Sequence, residues 1–193
     1  MDTIPSQFEV SRSLQALEAI EADLKQLTAN LTECQFQAPP LTGGWSIGHC
    51  IEHLTLTGNG FLGEWEAALQ SAARQGLRSG GPFPYSFFQR SILRFAEPPY
   101  GIRVKTTRPF APYARRPMDV TLRRFQKMHY EMAHRLESSR GLDAVRIKVR
   151  SPFLSWISYP LGMSFDLALA HERRHLWQAH QVRNQFTGRE KCA

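Results

Sequence analysis

The residues best suited to chemistry in this 193-residue chain are His171 and His175, within His171-Glu172-Arg173-Arg174-His175. They sit in an apolar-periodic run that reads as helix, where side chains four apart share a face and two imidazoles can converge on one metal ion. The same five letters spell HExxH, the zinc-metalloprotease helix in which the Glu, here Glu172, is general base. A third ligand separates the two readings. The protease pattern needs one downstream, and the candidates are His180 and Glu190. At ~100° per residue His180 falls well off the His171/His175 face. Glu190 lies in a polar tail, residues 185–193. Helical phase also turns Glu172 away from an ion held by the two histidines, toward neighbouring Arg or solvent.

Upstream, His49 and His53 repeat the four-residue spacing, so four histidines lie on two expected helices. Three suffice for a catalytic ion with an open position, the arrangement that lowers the pKa of a bound water or thiol. His129 and His134 are five apart, share no face and read as incidental. Cys34, Cys50 and Cys192 show no CxxC spacing, and an odd count suits a reducing compartment. Cys50 stands beside His49, and the sequence does not decide whether either joins a metal.

The elements that must position these residues are helices. Leu14, Leu17, Ile20, Leu24, Leu27 and Leu31 form a bundle stripe within a first helix over 8–31, roughly 36 Å long. A second starts near Trp45-Ser46, with Ser46 as N-cap, and runs to about Ala73; Gly58, Gly60 and Gly63 inside it predict a kink or a close helix contact. Residues 76–117 form a long irregular crossover, with a short helix over 86–95, placed to cover the open end of the bundle. A third helix spans 119–139 and a fourth 160–184. Between them Val145, Ile147 and Val149 alternate with Arg146 and Lys148 as a short strand. Trp45, Trp65, Trp156 and Trp177 read as core or bundle-end packing. Four long amphipathic helices without a βαβ pattern make a single all-α domain, 1–193, of four-helix-bundle type.

Composition is that of a globular protein, 42% hydrophobic and 21% charged. No stretch has the roughly 18 apolar residues of a membrane span, and the start lacks a signal-peptide pattern, which predicts a cytoplasmic protein. The net charge of +7 is concentrated in eight basic residues, Arg103, Lys105, Arg108, Arg115, Arg116, Arg123, Arg124 and Lys127, against Asp119 alone. No nucleic-acid-binding motif accompanies them, so no specific nucleic acid or membrane partner is expected; an anionic small molecule could be held there.

Trp45-Ser46, His53 eight residues after the Trp, and a last helix bearing His171 and His175 together resemble the DinB/YfiT-like metal-binding superfamily. The resemblance covers nearly the whole chain. It implies a four-helix bundle with one histidine from the second helix and two from the last, hence His53, His171 and His175 as metal ligands, with His49 outside the set. It further implies a divalent ion, zinc or nickel, homodimers, and metal-dependent transfer to small thiols or hydrolysis of a small molecule. A non-catalytic module with a structural metal, or none, is the alternative. No other cofactor is expected.

Overall fold

In the computed structural model, residues 4–99, 106–113 and 115–186 are described. Arg103, Lys105, Glu190 and Cys192, and the tail beyond residue 186, lie outside them.

Four long helices form the bundle: α1 (Val10–Thr28), α3 (Ile47–Gln75), α5 (Met118–Ser138) and α6 (Leu161–Arg183), with a short α2 (Glu33–Gln37) after the first and α4 (Phe87–Ala96) in the crossover. α3 packs against α5 and α6, and α1 packs against the same two. The apolar stripe of α1 is the reason: Leu17, Ile20, Leu24 and Leu27 are all buried, with Leu14 and Leu31 against the core edge. Burying such side chains, at about 25 cal/mol per Å² of apolar surface, is what holds amphipathic helices together.

α1 stops at Thr28 rather than residue 31 because Asn30 turns left-handed, at φ 60°. Thr32 then opens α2 with a capping box, accepting from the Gln35 amide while the Gln35 side chain accepts from its own. Ser46 caps α3 in the same way with His49, and Gly76 ends the helix at φ 63°. Of the three glycines in α3, Gly58 makes the close contact: it faces the Met128 side chain of α5, with no room for a Cβ.

The expected strand over 145–149 is displaced. Asp143 Oδ1 accepts from the amides of Val145 and Arg146 and curls that stretch into a turn, so only Lys148–Arg150 (β1) is extended. β1 pairs antiparallel with β2 (Ser158–Pro160), Val149 opposite Tyr159.

The described parts of the crossover are tied to the helices at several points. The backbone of Phe83 and Tyr85 bonds that of Phe8 and Ser6, and Tyr85 Oη donates to Asp166 of α6 at 2.9 Å. After α4, Glu97 takes a fork of bonds from Arg173, and the Phe95 carbonyl accepts from Arg174. A 3₁₀ turn at Arg108–Phe110 then lies on α3. Among the described residues, no helix is long and apolar enough to cross a membrane.

Candidate metal centre

α3 and α6 bring His53, His171 and His175 together. One ring nitrogen from each lies within 4.8 Å of the other two, and Nε2 of His53 is 3.2 Å from Nε2 of His171. The rings meet edge to face, with centroids 4.5 to 5.2 Å apart. His53 is buried and the other two are half-buried. Trp45 covers the cluster, its ring 4.7 Å from that of His53 and 5.7 Å from that of His175.

On two of the three rings an outer partner fixes the proton. Nδ1 of His53 stands 2.7 Å from the carbonyl oxygen of Phe110. A carbonyl only accepts, so the proton is on Nδ1 and the inward Nε2 carries a lone pair. Nδ1 of His175 donates likewise to Oε1 of Gln178 at 3.1 Å.

Electrostatics keep the donors neutral. Burial lowers the pKa of His53, against the bond to Phe110. Burial and the neighbouring histidines hold His171 well below its usual value, and burial with His53 brings His175 down to about 3. Three neutral imidazoles are the protonation state a divalent ion requires.

These residues fit such an ion. Tetrahedral coordination with bonds of ~2.05 Å places donors about 3.3 Å apart, close to the His53–His171 separation. The outward N–H groups of His53 and His175 each have a carbonyl-type acceptor, the outer support usual for metal-bound histidines.

Glu172 is turned away from the cluster, as its helical phase requires; Arg173 feels its charge, but its hydrogen-bond partner is neither Arg nor solvent. It is buried, and Oε2 is 3.0 Å from Nε2 of His129, itself 1% exposed and facing Glu21 of α1 across 3.4 Å. His129 is therefore a core residue rather than an incidental one. His180 pairs with Asp23 at 2.7 Å, off the cluster.

His49 sits in the first turn of α3, with Nδ1 3.0 Å from Oγ of the N-cap Ser46, and is not one of the converging histidines. Cys50 is wholly buried, and burial raises its thiol to about 12, which suits packing rather than ligation.

The basic region is partly consumed internally. Arg116 and Arg124 converge on buried Glu52 at 3.3 and 3.4 Å, and Arg123 pairs with Asp119. Arg115 lies near enough to His49 to add to the burial that lowers its pKa. Sequence reasoning missed Phe110, Gln178 and Phe153, whose ring centroid is 6.0 Å from that of His171. A loop carbonyl and an i+3 amide carry no signature by spacing.

A family model, that of the DinB superfamily, matches residues 16–179. The chain belongs to this superfamily. Among solved structures, the DinB-superfamily chain is similar to YfiT from Bacillus subtilis, at 18% identity and a TM-score of 0.57, over 92% of this chain and 87% of that one. YfiT is characterised as a probable metal-dependent hydrolase with an unusual four-helix bundle topology. The likeness establishes the fold. No curated protein matches.

Proposed function

We propose that His53, His171 and His175 hold a divalent metal ion, zinc or nickel, and that this DinB-superfamily protein is a metal-dependent enzyme acting on a small molecule. The observation that carries the reading is the convergence of three imidazoles, two of them with outward N–H groups already satisfied. A bound ion supplies Lewis acidity, lowering the pKa of a water or thiol in the remaining position.

The chain's own residues hold and shield this centre. Phe110 and Gln178 orient two of the rings, and Trp45 with Phe153 excludes bulk water from their flanks. The two carboxylates next in sequence to the histidines face elsewhere: Glu52 toward Arg116 and Arg124, Glu172 toward His129. The site thus has no HExxH general base, and the protease reading has no support.

Hydrolysis is the reaction suggested by YfiT, and transfer to a small thiol is the reaction the wider superfamily suggests; the three-histidine set serves both. Arg115, exposed and near His49, is the residue of the basic region that we assign to an anionic group of the substrate.

Metal content of the purified protein and of His175→Ala tests the centre: about one ion per chain is expected in the first and loss in the second. Equal content in both sinks the reading. A panel of small esters, amides and thiol–electrophile pairs then separates hydrolase from transferase.

A further inference from the structure

Gly60 stands seven residues after His53 on α3, two turns along the same face. A Cβ built there would be 3.0 Å from Cε1 of Phe110 and 3.1 Å from Cβ of Pro152, tighter than ordinary van der Waals contact. Both neighbours belong to irregular segments that reach the histidines. Phe110 lies in the crossover and accepts the His53 Nδ1 proton; Pro152 precedes Phe153, whose ring packs on His171. The two segments also hold each other, the Phe110 and Phe153 rings meeting edge to face at 5.0 Å, with Phe61 of α3 behind Phe153 at 5.6 Å. Phe110 therefore has little freedom to retreat from a larger residue at position 60.

We infer that Gly60 is a positioning residue of the metal centre: its missing side chain seats Phe110 and Pro152 on α3, and the seated Phe110 holds His53, so divalent-metal binding and docking of the crossover are linked. The inference rests on the three-histidine reading above. Linkage is reciprocal: if a docked crossover raises metal affinity, bound metal protects the crossover by the same factor.

α3 supplies its own control. Gly63, three residues on in the same helix, has nothing within 4 Å of an added Cβ. Leucine at either position gains the same helix propensity, and only at position 60 does its Cβ meet Phe110.

The test is zinc affinity of the full chain, by competition with a chelator, for wild type, Gly60→Leu and Gly63→Leu. Gly60→Leu is expected to bind about 10–100-fold more weakly, the usual loss for an outer-shell partner, while Gly63→Leu matches wild type. Zinc should slow amide hydrogen exchange over 106–113 in wild type and Gly63→Leu but not in Gly60→Leu. The exchange-slowed Nδ1 proton resonance of His53 should likewise be lost only in Gly60→Leu. Should Gly60→Leu not fold, Gly60→Ala against Gly63→Ala makes the same comparison. Affinities within about twofold for the two positions overturn the seat, while histidine-dependent zinc binding in wild type leaves the metal centre standing. Zinc binding by wild type that is no stronger than by His53→Ala or His175→Ala overturns both.

Discussion

Burial and neighbouring charge decide what each histidine of this chain can do. His53, His171 and His175 are pressed toward the neutral form, whereas at His129 burial pulls the pKa down but the charges and bonds of Glu172 and Glu21 outweigh it, and the net shift is upward. A raised value means that the His129–Glu172 pair stabilises the fold fully below about pH 6.5, with the contribution fading as pH rises through the folded-state value. Glu172→Gln removes the charge and keeps a hydrogen-bonding amide. It is expected to cost about 1–3 kcal/mol at pH 6 and less at pH 9, read from urea unfolding at the two values. The same variant should retain wild-type zinc content, because Glu172 points into the bundle. A loss of metal, or a cost that does not fall with pH, contradicts this assignment. The sequence made the His171/His175 pair legible through spacing alone, and phase alone turned Glu172 away. That Glu172 finds His129, 43 residues earlier, depends on which helices become neighbours, which no local spacing encodes.

At the level of elements, the long helices were legible because their apolar periodicity and punctuation agree: Ser46 caps α3 and Gly76 ends it, as residue type suggests. What was not legible is curvature against neighbours. Gly58, Gly60 and Gly63 look alike in sequence, yet they face Met128, Phe110 and open space respectively. Gly58→Ala forces a methyl into the α3–α5 contact and should destabilise by about 1–3 kcal/mol. Gly63→Ala, with the same propensity gain and no neighbour, should stabilise by about 0.5–1 kcal/mol. Thermal melts of the two variants against wild type check both signs; stabilisation by both would mean that the helix contact at Gly58 is not close, and destabilisation by both that Gly63 does not face open space. The displaced strand has a similar origin. Val145, Ile147 and Val149 alternate as a strand should, but the Asp143 side chain captures two amides and bends the first half of the run into a turn.

For the molecule as a whole, the proposed metal centre would act as a cross-brace. α3 and α6 belong to one packed pair, and the crossover from α4 to α5 is fastened to the first through His53 and to the second through Arg173 and Arg174. An ion held, as proposed, by His53 from α3 and by His171 and His175 from α6 would join both helices, and through Phe110 it would also engage the crossover. Such a ligand binds the folded chain and lacks a preformed site in the unfolded one, so it stabilises by mass action, about 2.7 kcal/mol at a free concentration of a hundred times Kd. At about 2–4 °C per kcal/mol for a domain of this size, zinc at that concentration should raise Tm by about 5–10 °C. His53→Ala leaves the α6 pair intact but removes the one proposed ligand from α3, so zinc bound to the remaining pair would no longer span two helices. The zinc-dependent rise should therefore vanish in His53→Ala, measured by differential scanning calorimetry in matched buffers with and without chelator. A rise of equal size in the variant would place the stabilising ion elsewhere on the protein and would remove the brace from the account of the fold.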